Sequence, residues 1–224
     1  MTMSVTEAVE ARHSIRAFLD KPVSEATLRD ILDVARKAPS GGNLQPWRVF
    51  ILSGSALVDL KEAVRKQRST GEKEGLEYVI FPNPLKEPYN TLRKQCGEDM
   101  YASIRVPRED KAGRARQFDY NYEFFGAPVG VIFALDRSFG HAQWVHLGMF
   151  MQTVMLLAQE AGLATCAQEA WAGMHKTISQ QLKLPPELMV CCGMSIGYAD
   201  PSHPINGFVT DRMGVGDFAT FEGF

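Results

Sequence analysis

The sequence lacks several features that would each assign it to a class of protein. No apolar run approaches the roughly 20 residues that cross a bilayer, so we expect no membrane-spanning helix. Acidic and basic residues nearly balance, with a formal net charge of −2, and this balance gives no indication of nucleic acid or a membrane surface as a partner. The N-terminus has no basic region followed by an apolar core, so no signal peptide is expected.

Cysteine is scarce and poorly spaced for a metal. Cys96, Cys166, Cys191 and Cys192 form neither a CxxC pair nor a cluster with histidines, so the sequence predicts no zinc site. Cys191 and Cys192 are neighbours in an apolar run, and adjacent cysteines bond to each other only with strain. We therefore predict buried thiols and a reducing, cytoplasmic setting.

Two common catalytic and binding signatures are also missing. No glycine-rich dinucleotide fingerprint follows a predicted strand, so a separate Rossmann domain is not indicated. Ser40 lies in a glycine-rich loop but not in a GxSxG elbow, so no nucleophile with a base and an orienting group is predicted.

The 224 residues suit one domain, predicted over 1–224. Helical patterns outnumber strand-like runs and alternate with them irregularly, which is typical of an α+β fold with one central sheet and helices around it. The predicted strands are 47–52, 128–135, 163–167 and 188–199, and the clearest predicted helices are 24–38, 55–66, 141–161 and 175–182. Residues 141–161 are apolar nearly all round, which suits a buried central helix or a subunit interface.

Two segments depart from this pattern. Residues 69–122 are densely charged, interrupted by prolines and threaded with aromatics, and a segment of this length in a compact domain is usually functional. We interpret it as a helical lid, with an exposed decoration as the alternative. Residues 200–224 end in Phe218, Phe221 and Phe224, an arm that cannot bury its own aromatics and is expected to pack on another subunit.

Two N-terminal stretches carry the strongest functional pattern. In residues 11–18, Arg12 and Arg16 flank Ser14, next to His13. Arginine forks match phosphate oxygens in pairs, so the stretch indicates an anionic ligand. A solvated basic turn would contain the same residue types. The second stretch, residues 38–47, contains the loop Ser40-Gly41-Gly42-Asn43 at a helix end, where glycine permits a ligand to approach the backbone closely.

Taken together, these stretches resemble the nitroreductase family of FMN-dependent flavoproteins that take hydride from NAD(P)H. The resemblance extends over nearly the whole chain and is also strong at residues 162–171 and 197–200. It implies a central mixed sheet flanked by helices, an intertwined homodimer and FMN bound between the two chains. One cleft over the flavin would then admit the nicotinamide and the acceptor in turn, which predicts ping-pong kinetics.

The resemblance also assigns expected roles to the N-terminal residues. Arg12 and Ser14 match phosphate and ribityl contacts, and Arg16 matches a basic residue near the pyrimidine edge of the flavin, where positive charge favours reduction. His13 has two readings, a flavin or backbone contact and a packed structural histidine. At the other end of the chain, Arg212 matches a residue that completes the phosphate site, with a surface ion pair to a nearby aspartate as the alternative.

Two further loops are expected at the flavin. Pro39, Ser40 and Asn43 match a loop that reaches the flavin of the neighbouring subunit, where Asn43 offers both a donor and an acceptor. Gln45 suits the same role or a turn-stabilising hydrogen bond, and Trp47 is assigned to the core. The loop Gln168-Glu169-Ala170 matches one whose backbone amides face the flavin N5, although Ala167 and Ala170 replace the proline and glycine that are frequent there. A solvated carboxylate is the alternative for Glu169.

Residues 121–133 look like the nitrobenzoate-reductase branch of the family. Gly41, Tyr120, Phe124 and Phe125 are the candidate contacts for a ring-shaped acceptor. The predicted reaction is two-electron reduction of nitroaromatics through nitroso to hydroxylamine. The alternatives are reductive dehalogenation of a halogenated phenol, a flavin-storage protein without acceptor chemistry, and a phosphate-binding protein without flavin.

Overall fold

The structure, a computed structural model, describes residues 3–224. Residues 1–2 of the predicted domain lie outside the described residues. The regular elements of the described chain are α1 (Val5–Ala11), α2 (Glu25–Ala35), β1 (Arg48–Ser53), α3 (Gly54–Ser69), α4 (Tyr89–Ser103), α5 (Lys111–Asp119), β2 (Val129–Asp136), α6 (His141–Glu160), β3 (Ala164–Gln168), α7 (His175–Leu182), β4 (Leu188–Gly197) and α8 (Val215–Phe218). Short 3-10 turns connect several of them.

The four strands form one sheet in the order β1-β2-β4-β3. All three strand pairings are antiparallel, so the prediction of a mixed sheet needs correction. A parallel contact does occur as an isolated bridge between Ser14 and Thr165, at the β3 edge. An apolar run shows that a strand is buried but not which way its neighbour runs, because direction depends on how the chain returns.

Strand β2 lies between two apolar layers. Seven of its eight residues are buried, as its apolar run predicted, and successive side chains point to opposite faces. Val131, Phe133 and Leu135 pack into one cluster with α2 and α6, whereas Ile132 packs into the other with α3 and α7. The sheet therefore has helices on both faces, which confirms the predicted architecture of a central sheet surrounded by helices.

The predicted helices 141–161 and 175–182 correspond closely to α6 and α7. Leu147, Phe150 and Val154 of α6 are buried at helical spacing, while Val145 and Met149 are 57% and 43% exposed. The helix thus packs on the sheet along one side and leaves an apolar strip uncovered on the other. This arrangement is compatible with either role predicted for it.

Two helices, α4 and α5, lie within the predicted excursion 69–122. Neither helix is deeply packed, since no residue of α4 and one of α5 is buried. Ion pairs join them to each other through Glu98 and Arg114 and to the body through Arg68 and Asp119. The segment is therefore folded, and its function as a lid remains a prediction.

The tail beyond residue 200 packs against the body at residues 205 and 206 and then becomes exposed. Ile205 is fully buried, whereas Phe218, Phe221 and Phe224 lie on the surface. Among residues 3–224 no helix is both long and apolar enough to cross a membrane. Within the same residues, no group of three or more histidines, cysteines or acids is placed to hold a metal ion.

Candidate active site

The basic N-terminal turn is fixed to the edge of the sheet. Helix α1 ends at Ala11, with Arg12 as its C-cap, and the chain then runs extended beside β3, where the Ile15 amide donates to the Thr165 carbonyl at 3.1 Å. Ile15 and Ala17 point inward and are buried. Arg12, Ser14 and Arg16 are only partly buried. Because extended residues alternate in direction, these three share the opposite side.

These three side chains lie beside β3, where Ser14 pairs with Thr165 and Cys166 is the next residue of the strand. Burial raises the pKa of the Cys166 thiol, and Arg16, a hydrogen bond with Ser14 and Arg12 each oppose this rise. All three groups therefore influence the same thiol, and the Arg16 guanidinium also donates to the Ser14 carbonyl at 3.3 Å. The structure thus places Arg12, Ser14 and Arg16 close together. The sequence analysis predicted that these residues bind the same ligand.

Two buried polar atoms beside this cluster lack a partner within the described chain. They are Nε of Arg12 and Oγ1 of Thr165. A buried donor or acceptor without a partner costs about 1–3 kcal/mol, so such atoms usually belong to a ligand site or a water site. With two guanidiniums alongside, the residues present fit a phosphate group.

Asn206 holds the basic turn to the C-terminal tail, and the sequence analysis did not identify it. Its Oδ1 accepts from the Arg16 amide at 2.8 Å, and its Nδ2 donates to the carbonyls of Ala17 and Asp200 at 2.7 and 2.9 Å. Its own carbonyl lies 2.9 Å from Nε2 of His13. Such a contact spans 190 positions and leaves no local signal in the sequence.

His13 has carbonyl neighbours at both ring nitrogens. Nε2 faces Asn206 and Nδ1 lies 3.1 Å from the carbonyl of Ala11. A ring engaged on both sides by backbone has no free nitrogen for a ligand. This geometry favours the structural interpretation of His13 over a flavin contact.

Arg212 is not joined to the basic turn. Its side chain is exposed, and its guanidinium donates to the carbonyls of Thr210 and Asp211, each at 2.9 Å, and to the Thr210 hydroxyl. These are contacts with its own segment of the tail. The predicted completion of the phosphate site by Arg212 therefore remains a prediction that requires the tail to adopt another position.

The loop after α2 has an irregular, preformed shape. Gly42, Asn43 and Gln45 have φ values of 58°, 57° and 48°, and asparagine and glycine tolerate this left-handed region better than most residues. The Gln45 amide donates to Ser40 Oγ at 3.0 Å and its side chain to the Asn43 carbonyl at 3.1 Å. Gln45 thus stabilises the turn, which was the alternative to a flavin contact.

The same loop is exposed and anchored to α6. Pro39, Gly41 and Asn43 are all exposed, and the Gly41 amide donates to Nε2 of His146 at 3.1 Å. The Asn43 side chain therefore stands free on the surface, available to a neighbouring molecule. Among the described residues of this single chain, no hydrogen bond joins the loop to the basic turn.

The loop that follows β3 rests on a buried polar network. Gln168 is 2% exposed. Its Nε2 donates to the Asn121 carbonyl at 2.8 Å, and its Oε1 accepts from Ser195 Oγ at 2.7 Å. The side chain thus fixes the loop, which leaves the backbone as the group available to a ligand. Burial raises the pKa of the neighbouring Glu169 carboxyl and Arg93 opposes the rise.

A cleft of about 1540 Å³ opens next to this loop. Most ligand pockets measure about 300–1,000 Å³, so this one has room for two ring systems. Its walls are residues 76–81, one side of α6, residues 167–170 and part of β4. The aromatic side chains that line it are Tyr78, Phe81, Phe118, Phe139 and Trp144. Cys166 and Gln168 lie two residues apart on β3, roughly 7 Å, so the cation cluster and the cleft are neighbours.

The predicted acceptor contacts are placed differently from the expectation. Phe124 and Phe125 are 0% and 2% exposed, and Phe124 stacks on Trp171 with ring centroids 4.1 Å apart. These rings belong to the core, which corrects the prediction that they stack on an acceptor. Tyr120 is 40% exposed and meets Phe125 edge-on, but it does not line the cleft.

Two glycines explain why Phe124 enters the core. A Cβ at Gly130 would lie 2.6 Å from the Phe124 ring, and one at Gly193 would lie 2.3 Å from the Trp171 ring. The sheet therefore has room for the stacked pair only because both strands carry glycine at these positions. The sequence did contain a signal for the residues that line the cleft, since Tyr78 and Phe81 lie close together in the segment 76–81.

The thiols at the cleft are not nucleophiles. Cys191 and Cys192 line it, and all four cysteines are free. Burial raises the pKa of Cys191 to about 12 and raises that of Cys192 further. Because the thiolate is the reactive form, neither residue attacks a substrate near neutral pH, and the site offers binding surfaces rather than covalent chemistry.

Comparison with known proteins assigns the class. The nitroreductase family matches residues 9–198, and the chain belongs to this family. It is 39% identical to the nitrobenzene nitroreductase of Ectopseudomonas oleovorans over 222 residues, covering 97% of this chain and 96% of that one. It is 35% identical to the 4-nitrobenzoate reductase of Pseudomonas putida over 224 residues, covering 100% and 98%.

A solved structure agrees with these relatives. The FMN- and NADPH-dependent nitroreductase NfnB of Sphigopyxis sp. strain HMH has a TM-score of 0.96 at 40% identity, covering 99% of this chain and all of that one. The family resemblance predicted from the basic turn and the residue 38–47 stretch is therefore confirmed, and so is the nitroreductase fold.

Proposed function

We propose that this protein is an FMN-dependent NAD(P)H oxidoreductase that reduces nitroaromatic compounds. The observation that carries the proposal is the placement of Arg12, Ser14 and Arg16 on one side of the extended segment beside β3, with the cleft at the end of the same strand. A phosphate-bearing ligand with a flat ring needs a cationic end and an apolar end at this kind of separation. The names of the relatives in the family support the same acceptor class.

The basic turn binds the phosphate end. Arg12 and Ser14 hold the phosphate and the ribityl chain, and Arg12 Nε gains the partner that it lacks in the chain alone. Arg16 would lie near the pyrimidine edge of bound FMN, where a fixed positive charge would favour reduction of the ring. Arg212 completes the phosphate site once the tail has folded over it.

The loop 168–170 orients the ring end. Gln168 is held rigidly by Asn121 and Ser195, so the backbone amides of Glu169 and Ala170 are presented in a fixed direction. A fixed donor toward N5 tunes the cofactor without moving a side chain. FMN, when bound, supplies the two-electron redox chemistry, and the chain supplies binding, orientation and exclusion of water.

The nicotinamide and the acceptor use one cleft in turn. The described chain offers one large aromatic-lined cleft beside the ring-binding loop, so NAD(P)⁺ leaves before the nitroaromatic enters. This order produces ping-pong kinetics. Two successive two-electron steps take the nitro group through nitroso to hydroxylamine, and Gly41 of a neighbouring subunit lies at the acceptor.

The working form is an intertwined homodimer in which the chain forms one domain with its lid segment and C-terminal arm. Val145 and Met149 on α6 and the phenylalanines of the tail are exposed apolar surface, and large uncovered patches of this kind mark interfaces. Pro39 and Asn43, exposed on one chain, and the half-buried Ser40 between them then reach the flavin bound mainly by the other chain. Nothing in the charge balance favours nucleic acid as a further partner, and the cytoplasmic setting remains a prediction from the cysteines.

An anaerobic titration tests the proposal. The purified protein is expected to be yellow, to bleach when NADPH or NADH is added without air, and to regain its colour when nitrobenzene is added. Bleaching without recovery would favour the flavin-storage alternative. A colourless protein that binds phosphate would contradict flavin binding and favour the phosphate-binding alternative. Recovery with a halogenated tyrosine but not with nitrobenzene would favour reductive dehalogenation.

A further inference from the structure

Residues 71–81, here called the strap, cross the molecule without regular secondary structure and form one wall of the cleft with residues 76–81. They follow α3 without helix or strand, and residues 76–81 line the cleft directly. Gly71 and Gly75 have φ values of 76° and 84°, so the strap turns at both positions. A segment without its own ladder of backbone bonds depends on side chains for its position.

Glu74 anchors the strap to α7. Its carboxylate accepts from the Lys176 amide at 2.6 Å and from the Thr177 amide at 3.1 Å, and it also accepts from the Thr177 hydroxyl. These amides belong to the first turn of α7, whose N-cap residue Met174 provides no side-chain cap. A carboxylate at this position satisfies unpaired N–H groups and complements the helix dipole.

Further contacts extend the anchor to the cleft itself. The Glu77 carboxylate lies 3.3 Å from His175 Nδ1 and pairs with Arg137, and Arg137 donates to the Pro186 carbonyl at 2.7 Å. The Tyr78 hydroxyl donates to the Cys191 carbonyl, and its ring meets Trp144 at 4.5 Å between centroids. The strap is thus attached from α7 to the floor of the cleft.

We propose that Glu74 is a positioning residue that caps α7 from outside the helix and thereby holds Tyr78 and Phe81 as the acceptor wall. The aromatic wall fits a flat ring, so this role rests on the proposed nitroaromatic function for its substrate. The strap itself, however, is a property of the chain. When the cap is removed, the part of the strap around Glu74 loses its attachment to α7, while Glu77 and Tyr78 keep theirs. The wall is then held less firmly, and ring-shaped acceptors bind more weakly.

Limited proteolysis tests the anchor without reference to activity. Lys73 lies exposed in the strap, and trypsin requires a locally open chain to cleave after it. In the full-length protein, Glu74→Ala is expected to raise the cleavage rate at Lys73 roughly tenfold, with Glu74→Gln between this variant and the natural protein. Mass spectrometry identifies the cut. Glu72→Ala is the matched control, since Glu72 is an exposed neighbour whose contact uses its backbone carbonyl.

Steady-state kinetics test the positioning. Glu74→Ala is expected to raise KM for nitrobenzene roughly five- to tenfold, to change kcat by less than about twofold and to leave the FMN content intact. Glu74→Gln should restore part of the affinity because its amide oxygen still accepts a hydrogen bond. A general loss of structure would instead lower kcat and flavin content together.

The two experiments give separable results. Equal cleavage of Glu74→Ala and Glu72→Ala would overturn the anchor. Faster cleavage with an unchanged KM would overturn the positioning role. If the natural protein reduced no nitroaromatic, the proposed function would fail, and the cleavage rates alone would then decide whether Glu74 holds the strap.

Discussion

The basic N-terminal turn and the C-terminal tail were assigned the same task, binding of a phosphate, and the structure treats them in opposite ways. The turn at residues 12–16 is held by backbone hydrogen bonds to β3 and to Asn206. The tail beyond Asn206 exposes Arg212 and three phenylalanines. The arginines of the turn are therefore tied to the sheet, whereas Arg212 is exposed and bonded only within its own segment of the tail.

This difference shows that the chain positions its basic turn by itself, whereas its tail needs a second molecule to cover its aromatic side chains. The turn buries Ile15 and Ala17 beneath its cations, so its position follows from the core of its own chain. The tail has no core of its own within reach, and its aromatics remain in water. Burial of apolar surface stabilises by about 25 cal/mol per Å², so the exposed aromatic side chains favour packing on a partner. This free energy is the physical basis for the predicted arm.

The largest expected effect comes from removal of the tail. Deletion of residues 208–224 is expected to convert the proposed homodimer to a monomer that retains its helical and strand content, because the deleted residues include no buried side chain. Light scattering gives the mass and circular dichroism the fold. A truncated protein that remained a dimer would show that α6 alone forms the interface and that the contrast between the two regions is wrong.

Replacement of Arg12 should have the next largest effect. Arg12→Ala is expected to leave folded protein with FMN affinity lowered roughly 10- to 150-fold, because a charged hydrogen-bonding partner of a phosphate contributes about 1.5–3 kcal/mol. The ratio of flavin to protein after purification measures the loss of FMN binding. Arg36→Ala is the control, since Arg36 makes an exposed ion pair with Asp33. An unchanged flavin content in Arg12→Ala would contradict the assignment of Arg12 to the phosphate of FMN.

Replacement of Arg212 should have the smallest effect and sharpens the comparison. Arg212→Ala is expected to lower FMN affinity only about two- to fivefold, because an exposed cation contributes about 0.2–1 kcal/mol. Titration of the flavin-free protein with FMN measures the change, and Arg212→Lys, which keeps the charge, should lose less. A loss as large as that of Arg12→Ala would mean that the tail closes tightly over the phosphate.

The sequence predicted elements better than it predicted contacts. Helix α7 has the predicted limits, and α6 and β2 lie within a residue or two of theirs, because periodicity and end signals are local. The antiparallel direction of the sheet was missed, since it depends on how distant segments return. Phe124 was placed at an acceptor, whereas Gly130 and Gly193 make room for it in the core.

The candidate site divides in the same way. The arginines and the serine of the turn were identified because several phosphate-binding residue types within five positions form a local signal. Asn206 and Glu74 were not identified, since each acts on a segment about 100 or more positions away. A single asparagine or glutamate has no distinctive neighbourhood in the sequence, and only its hydrogen bonds reveal its role.

The amino-acid order by itself determined the membership of the family, the alternation of helices and strands, and the cationic turn, because these depend on spacing within a few residues. Only the tertiary structure decided which aromatics line the cleft, how the strap is attached and which arginine is fixed. Those outcomes depend on packing and on hydrogen bonds between distant parts of the chain, where a glycine opposite a ring or a carboxylate opposite a helix end makes the difference.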